Sequence, residues 1–504
     1  MKYKKDILED IEEKIEKNIH RYDRQLLIKD WNQEKLKNGI VTIIGSDVLA
    51  RYIAMPLAAL GVGTIRIIDS AKGTANDMLL DLPLKGKSRA QSLEQALKKI
   101  NPEVNVIGIN SDLSTIAAQY FLEGSHVIVD ATNDKISKSH VLDYHLKKGV
   151  PIISSSADKY NGKVAFSGAG ENNLAMLMPM FEGKKQGDFV SLELGGMVAE
   201  EVKKLLMRKD EPLNIIYNYN LESNKRFGHI SDKEIKVIAN AFKDKNILMV
   251  GAGALGCLLG PAAISNLSPR RIDVMDYDVV EDHNLNRQVS FYDAVGKLKA
   301  ERIAETMQKI SKGKTQINAI VDKFTEKSKF DTKYDLIFDG VDSFYTKAIL
   351  HNYAKKHNIP IISGGTDYRA ATVLAYKQGE TSCFDCQINL SDLAIRAEII
   401  RRTSCIQAPN PSVIMINQIA TALMIGEAMC ALRPDIYGSP VNGEIKYISD
   451  FESRGGVSEL ESICDCHTKK AKSLELPDKK RVQIKEIEVD GQIIKEVYLD
   501  GKRM

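Results

Sequence analysis

Short apolar runs that end in glycine or aspartate recur in the same order in the two halves of the chain. Ile40–Gly45 and Ile247–Gly251 are each followed by a segment with helical spacing and then by further runs of this kind. Such runs are typical of parallel strands that are buried on both faces. The later runs are Ile65–Asp69, Val127–Asp130, Ile272–Asp276 and Leu336–Asp339. This alternation predicts an α/β fold, with mostly parallel sheets covered by helices.

The sequence itself repeats at an offset of 209 residues. Val129–Ala165 aligns with Phe338–Leu374, and both segments contain the tetrapeptide Pro-Ile-Ile-Ser and matching Asp, Lys and Tyr positions. An internal repeat of this length indicates that one structural unit occurs twice. We therefore predict two Rossmann-like domains in tandem.

The pattern at the ends of the repeats suggests domain boundaries. We predict a first domain over residues 1–215, a second over 216–450 and a tail over 451–504, with the join between the domains within Met207–Tyr219. The first domain opens with an apolar stripe from Ile7 to Ile19 that predicts an amphipathic helix. In the tail, Asp490-Gly491 separates two apolar runs within Val482–Leu499, which predicts a hairpin.

Composition narrows the class of protein. The 504 residues are 27% charged and 43% hydrophobic, and 70 Lys and Arg residues against 67 Asp and Glu residues give a net charge of +3. This balance gives no electrostatic case for nucleic-acid binding. No uncharged apolar run approaches the ~18 residues that a membrane span needs, and Met1–His20 is too charged for a secretory signal. We expect a cytoplasmic protein with neither nucleic acid nor membrane as a partner.

The second half contains a glycine-rich phosphate-binding pattern. Gly251, Gly253 and Gly256 follow a predicted strand and open a helix, where backbone N–H groups can approach a phosphate. Asp276 lies about 20 residues further on, as a ribose ligand does. These positions alone fit NAD, FAD or ATP. The equivalent first-half segment, Gly45–Ala50, lacks the second and third glycines and contains Asp47, whose charge would repel a phosphate. We expect the first site to be inactive.

The residues after Asp276 are more specific. Asp276-Tyr-Asp278 is followed by Asn284-Leu-Asn286-Arg287-Gln288 and then by Gly296 and Lys299. This segment resembles the ThiF/MoeB family of adenylating enzymes, which includes the ubiquitin-activating enzymes. The resemblance implies nucleotide-binding roles for a set of residues: Gly251, Gly253, Gly256, Asp276, Asp278, Asn284, Arg287, Lys299 and Asp342. In this set Asp276 corresponds to the ribose ligand.

The same resemblance assigns several groups to the binding of the triphosphate and its metal ion. Asn284, Arg287 and Lys299 correspond to triphosphate ligands, of which Arg287 and Lys299 are catalytic, and Asp342 corresponds to the magnesium ligand. Ser343 stands where the family usually has asparagine, so the surroundings of the metal are open. Cations and a metal that neutralise a polyphosphate favour attack at the α-phosphorus. ATP and Mg²⁺ are therefore the expected cofactors.

A further arginine motif precedes the first domain. His20-Arg21-Tyr22-Asp23-Arg24-Gln25 resembles the family's R-Y-x-R-Q motif, whose second arginine reaches the partner's ATP in dimeric relatives. The second half has His229 at the corresponding position. The resemblance thus implies a pseudo-dimer within one chain, in which Arg24 of the inactive domain acts catalytically on the nucleotide of the active domain.

All seven cysteines lie in the second half. Cys383 and Cys386 form a C-x-x-C pair, and Cys464 and Cys466 a second pair, with His467 as an alternative fourth ligand. Two such pairs fit a closed, structural tetrahedral zinc site. Cys257 and Cys430 have apolar neighbours and are expected in the core.

Cys405 lies in the crossover loop 387–411, which is polar in its middle and predicted to be mobile. Arg401 and Arg402 would favour its thiolate, and family members that form a thioester place their catalytic cysteine here. The resemblance thus implies adenylation of the C-terminal glycine of a ubiquitin-like protein, a thioester on Cys405 and transfer to a conjugating enzyme, as in a bacterial ubiquitin-like conjugation operon. The alternatives are adenylation of a sulfur carrier or a peptide, an NAD-linked oxidoreductase, and a non-catalytic scaffold.

Overall fold

A computed structural model describes the backbone of most of the chain. The described residues are 21–73, 86–168, 181–209, 212, 216–221, 240–403, 411–449, 456–461, 482–489, 492–499 and 502–503. The predicted helix before residue 20 lies outside these residues.

The first half contains one sheet of seven strands in the order β3-β2-β1-β4-β5-β6-β7. The strands β1 to β5 are parallel, and β6 and β7 are added antiparallel at one edge. The strands are β1 Ile40–Ile44, β2 Thr64–Ile68, β3 Asn105–Ile109, β4 Val127–Asp130, β5 Ile152–Ala157, β6 Asn161–Ser167 and β7 Tyr217–Asn220. The helices are α1 Gln33–Lys37, α2 Val48–Leu60, α3 Arg89–Ile100, α4 Thr115–Phe121, α5 Lys135–Lys148 and α6 Asp188–Met207.

The second half repeats this topology with one more strand, in the order β10-β9-β8-β11-β12-β13-β14-β15. Its strands are β8 Asn246–Val250, β9 Arg271–Met275, β10 Gln316–Ile320, β11 Leu336–Asp339, β12 Ile361–Thr366, β13 Ala370–Tyr376, β14 Gly443–Ile448 and β15 Gly456–Glu461. Its helices are α7 Gly256–Leu267, α8 Lys299–Ser311, α9 Phe344–His357, α10 Phe384–Ile388, α11 Leu390–Thr403, α12 Ile414–Leu432 and α13 Pro434–Tyr437. The prediction of two tandem Rossmann-like α/β domains is confirmed.

The burial of β1 and β8 explains why each of these strands lies inside its sheet and not at an edge. All five residues of β8 are buried, and β1 is buried except for Ile40 at its start. A strand with no polar face can be accommodated only where helices cover both sides of the sheet. Each central strand ends at a glycine with a left-handed backbone, Gly45 with φ +96° and Gly251 with φ +95°.

The two halves pack on each other through α6 and α12. Gly196 allows this close approach, since a Cβ there would lie 2.9 Å from the carbonyl oxygen of Met415 in α12. The neighbouring Gly195 allows α6 to approach α2 within the first half, since a Cβ there would lie 2.7 Å from the backbone of Tyr52. The side-chain amide of Gln418 donates to the carbonyl oxygens of Tyr52 and Leu192, at 2.9 and 2.8 Å. One apolar core cluster runs through both halves. The halves therefore form a pseudo-dimer within one chain.

Among the described residues, α12 has the length and hydropathy of a possible membrane span. Its apolar window is fully buried, and it contains Glu427, which accepts a hydrogen bond from the Val441 amide at 2.7 Å. Burial on all sides explains why the helix is apolar all round.

Two boundaries differ from the sequence prediction. Strand β15 pairs with β14 in the second sheet, so the second domain extends beyond the predicted residue 450. Strand β7 pairs with β6 in the first sheet, so the first domain extends beyond residue 215 and the predicted join within Met207–Tyr219 is wrong. An edge strand of only four residues, Tyr217–Asn220, gives little periodic signal.

Residues 387–403 of the crossover segment do not form the loop that its polar middle predicts, and residues 404–410 lie outside the described residues. Helix α11 occupies Leu390–Thr403 and packs on α9. Leu390, Ala394 and Ile399 are buried and lie about one helical turn apart. Charged residues stand between them in the sequence, so the apolar face of the helix was not recognised.

In the tail, β16 Val482–Val489 and β17 Gln492–Leu499 pair antiparallel, with β18 Lys502–Arg503 beside them, so the predicted hairpin is confirmed.

Candidate functional site

The glycine-rich turn after β8 forms the floor of the candidate site. A Cβ on Gly256 would lie 2.1 Å from the carbonyl oxygen of Gly251, so only glycine allows the helix α7 to start so close to the strand. No atom lies within 4 Å of the position of a Cβ on Gly253, so its backbone faces open space. The turn therefore leaves room for a phosphate group at the start of α7.

Asp276 follows β9 and holds two backbone groups. Its carboxylate accepts from the Ala252 amide at 2.6 Å and from the Asp278 amide at 2.7 Å. Burial raises the pKa of Asp276, while these two hydrogen bonds oppose that shift. The side chain of Asp278 in turn forms an ion pair with Lys299, at 3.1 Å. The two aspartates thus connect the glycine turn to the first residue of α8.

Asn284 and Arg287 lie on a short 3₁₀ turn, Asp282–Asn284, and on the segment after it. The side-chain oxygen of Asn284 accepts from the Glu281 amide at 3.0 Å and closes a capping box. Arg287 donates to the carbonyl oxygen of His283 at 2.7 Å and to the side chain of Asn286 at 2.9 Å. Both predicted ligands are buried residues whose side chains are held by this turn.

Arg24 of the first half reaches this turn of the second half. Its guanidinium Nη2 lies 3.3 Å from Nε2 of His283. The neighbouring Gln25 is buried, donates to the Leu60 carbonyl oxygen at 3.2 Å and accepts from Asn286 at 3.4 Å. The predicted juxtaposition of Arg24 with the second-half site is therefore present in the structure.

The two guanidinium groups shape the electrostatics of the site. Burial, and next the charge of Arg24, lower the pKa of Arg287 to about 10. Within the described part of the chain, no carboxylate forms an ion pair with Arg24 or Arg287. Two neighbouring cations without a carboxylate partner favour the binding of an anion. This charge pattern fits a polyphosphate.

Asp342 lies at the carboxyl end of β11, exposed to solvent. A Cβ on Gly251 would lie 2.8 Å from the backbone of Gly340, so the segment carrying Asp342 starts beside the glycine turn. Ser343 caps α9 by accepting from the Thr346 amide at 3.3 Å. Asp339, in contrast, is buried in an ion pair with Lys347 at 3.2 Å. Asp342 is thus the carboxylate of this strand end that remains accessible to a metal ion.

The equivalent first-half position is filled by the protein's own groups. Asp47 stands where the second glycine would be and pairs with Arg89, the first residue of α3, at 2.9 Å. Asp69 accepts from both the amide and the hydroxyl of Ser46, at 2.9 and 2.6 Å. The carboxylate of Asp47 therefore occupies the position of the open glycine Gly253 and pairs there with a cation of the protein itself. This arrangement supports the prediction that the first site is inactive.

Only part of the predicted zinc site falls within the described residues. Cys383 is buried and Cys386 is exposed at the start of α10, and the Cys386 amide donates to the Cys383 carbonyl oxygen at 2.9 Å. Cys464, Cys466 and His467 lie outside the described residues. No group of three potential ligands occurs in the part of the chain that the structure describes. The zinc site remains a prediction.

The remaining cysteines separate into two kinds. Cys257 and Cys430 are fully buried, as predicted for core residues, and burial raises the pKa of Cys257 to about 12. Cys405 lies outside the described residues, two positions after the end of α11.

The sequence analysis missed one residue of the site, His283, although it lies within the motif between Asp278 and Asn284.

Comparison with known proteins agrees with this architecture. The sequence profile of the ThiF family matches residues 22–237 and again 229–433. The chain is 28% identical over 152 residues to the adenylyltransferase and sulfurtransferase MOCS3 of Caenorhabditis briggsae, covering 29% of this chain and 38% of that protein. It is 29% identical over 175 residues to SUMO-activating enzyme subunit 2 of Dictyostelium discoideum, covering 32% and 25%.

Among solved structures, MccB of E. coli with ATP is similar at 20% identity and a TM-score of 0.38, covering 46% of this chain and 67% of that one. The matched region spans about a quarter to two fifths of the length of the two curated relatives. The family profile, in contrast, covers most of this chain in two consecutive matches. The chain belongs to the ThiF family and contains its domain twice.

Proposed function

We propose that the chain is an ATP-dependent adenylating enzyme with one composite active site. The observation that carries this proposal is the contact of Arg24 with His283 beside Arg287, whose carbonyl oxygen accepts from the Cys257 thiol in the first turn of α7 at 3.8 Å. It places a cation from the inactive domain next to the cations of the active one. A site of this kind concentrates positive charge where a triphosphate would lie.

The chemistry assigns a task to each group. Asp276 would bind the ribose, and the turn from Gly251 to Gly256 would bind the phosphates. A carboxylate oxygen of the substrate attacks the α-phosphorus, the bond from that phosphorus to the β-phosphate oxygen breaks, and pyrophosphate leaves. Arg24, Arg287 and Lys299 stabilise the charge that develops on the leaving group. Mg²⁺ held by Asp342 would neutralise part of the same charge.

We expect one nucleotide site per chain. Titration with MgATP by calorimetry should give one site, because the Asp47–Arg89 ion pair fills the second position. Asp276→Ala should weaken binding at least ~10-fold, as loss of a hydrogen bond that involves a charged group does. The equivalent variant Asp69→Ala is the matched control and should bind MgATP like the unchanged chain. Two sites, or equal losses in both variants, would contradict the inactive first site.

For the substrate, we propose the C-terminal glycine of a ubiquitin-like protein, followed by a thioester on Cys405 and transfer to a conjugating enzyme. Two unequal halves in one chain support this reading, as does the similarity to a protein named as a SUMO-activating subunit. Cys405 lies on the segment that connects α11 to α12. That segment ends beside the composite site, because the Ser412 amide donates to the Arg24 carbonyl oxygen at 3.4 Å.

The alternative is adenylation of a sulfur carrier or a peptide without a thioester. It is favoured by relatives whose names combine adenylyltransferase and sulfurtransferase activity. The deciding experiment is ATP–pyrophosphate exchange with purified small proteins encoded beside this gene, in full-length and glycine-truncated forms. Exchange that requires the terminal glycine supports a ubiquitin-like substrate or a sulfur carrier. Absence of exchange with any carboxylate substrate, despite MgATP binding, would contradict adenylation.

We also propose the structural zinc. Metal analysis of freshly purified, reduced protein should find about one zinc per chain. Cys386→Ser should lose most of it, because Cys386 is one of the predicted ligands, whereas Cys405→Ser should retain it. A metal-free unchanged chain, or zinc that persists in Cys386→Ser, would exclude the predicted ligand set.

A further inference from the structure

His283 contacts the cross-domain arginine through its side chain and the second arginine through its backbone. Nε2 lies 3.3 Å from Nη2 of Arg24, and the carbonyl oxygen of the same residue accepts from Arg287 at 2.7 Å. On the far side of the ring, Nδ1 lies 3.1 Å from a carboxylate oxygen of Glu281. One residue thus contacts both guanidinium groups of the proposed site.

These contacts define the protonation of the ring. A guanidinium group can only donate hydrogen bonds, so Nε2 must accept from Arg24 and cannot carry a proton. Nδ1 then carries the proton and donates it to Glu281, which fixes the tautomer. Protonation of Nε2 would place two donors face to face and add a third positive charge to the pair of arginines.

We infer that His283 is a positioning residue that holds Arg24 in place across the domain boundary as a neutral hydrogen-bond acceptor. The arginine side chain is long and flexible, so an acceptor that fixes its guanidinium lowers the entropy cost of presenting it to a phosphate. The second domain thereby orients the arginine that the first domain supplies. The effect of His283 on nucleotide binding rests on the proposed function, whereas its contact with Arg24 does not.

The charged groups around His283 support the neutral form. They are Arg24 from the first domain and Glu281, Arg287 and Lys299 from the second. Burial, and next the charge of Arg24, lower the pKa of His283 below its ordinary value, against the opposing charge of Glu281. The ring is therefore neutral at neutral pH, and acid weakens its hold on Arg24 as pH falls through this lowered pKa.

The first test needs no activity. The ring C–H signals of the histidines are followed by NMR as pH is varied, and the His283 signal is assigned by its loss in His283→Gln. In the unchanged chain His283 should titrate below the ordinary histidine range, and in Arg24→Ala its pKa should rise. An unchanged titration in Arg24→Ala would overturn the inference, because the two side chains would then not interact in solution.

The second test uses MgATP as the probe. His283→Ala should weaken MgATP binding about tenfold, the loss expected for a hydrogen bond to a charged group. His283→Gln should restore most of it, since its amide oxygen can accept from Arg24, and should lack the loss of affinity at low pH. His283→Ala added to Arg24→Ala should cause no further loss.

The outcomes separate this inference from the proposed function. Additive losses in the double variant would mean that His283 acts on the nucleotide directly, which would overturn a positioning role. Equal affinities of the unchanged chain, Arg24→Ala and His283→Ala for MgATP would also overturn it. If MgATP binds as expected but no exchange occurs, the proposed adenylation is wrong while the role of His283 stands.

Discussion

Arg24→Ala should slow ATP–pyrophosphate exchange by ~10²-fold or more, the usual effect of removing one preorganised charge from a transition state. Arg24 belongs to the first domain, so the loss would show that the second domain cannot work alone. Its guanidinium lies beside His283, where the leaving pyrophosphate would gain negative charge. The measurement is the initial rate of exchange at saturating MgATP and carrier.

Arg21 provides the matched control for this variant. It lies one helical turn earlier in the same segment, but it donates to the Ile100 carbonyl oxygen at 3.1 Å, within the first domain. Arg21→Ala should therefore change exchange only slightly. Arg24→Lys keeps the charge without the planar donor group and should recover only part of the rate. Equal rates in Arg24→Ala and Arg21→Ala would contradict the composite site.

The sequence predicted those features that depend on local pattern. The central strands were found because runs such as Ile247–Gly251 have no polar face, and the difference between the two glycine turns was found because Asp47 replaces a glycine. Both signals lie within a few consecutive residues. The repeat order then placed the strands of the two sheets in the same sequence, and the structure confirms that order.

Features that depend on distant contacts were missed. No local pattern shows that His283 meets Arg24, since 259 positions separate them and only domain packing brings them together. Helix α11 was missed because its buried positions alternate with charged ones, and a helix of this kind is recognised only once α9 is there to cover it. Strand β7 was missed because its four residues show no strand pattern by themselves and form a strand only through their hydrogen bonds with β6.

The asymmetry of the two halves follows from complementary losses. The first domain keeps Arg24 but has an ion pair between Asp47 and Arg89 in place of a phosphate site. The second domain keeps the glycine turn and Lys299 but has His229 where the arginine would be. If the proposed composite site is correct, neither domain forms a complete site with a second copy of itself, and both must be present in equal number. Their presence in one chain meets that requirement.

Cys405→Ala should abolish a thiol-sensitive adduct between carrier and enzyme while leaving pyrophosphate exchange within a few-fold of the unchanged chain. Adenylation precedes thioester formation, so it does not need the nucleophile. The chain geometry allows the step. Cys405 and Ser412 are seven positions apart in the sequence, and that stretch spans at most ~25 Å. The Ser412 amide contacts the Arg24 carbonyl oxygen. Cys405 thus lies within reach of the composite site, and the adduct is detected on a non-reducing gel.

Cys405→Ser gives this prediction its sharpest form. A serine at this position that attacks the acyl-adenylate forms an ester, so its adduct should survive a thiol reductant that removes the adduct of the unchanged chain. Loss of exchange in Cys405→Ala would instead assign Cys405 a structural role. An adduct that persists in Cys405→Ala would move the nucleophile to another cysteine. Since Cys257 and Cys430 are fully buried, that cysteine would have to come from those now assigned to zinc, and the zinc content of the same variants would show which one.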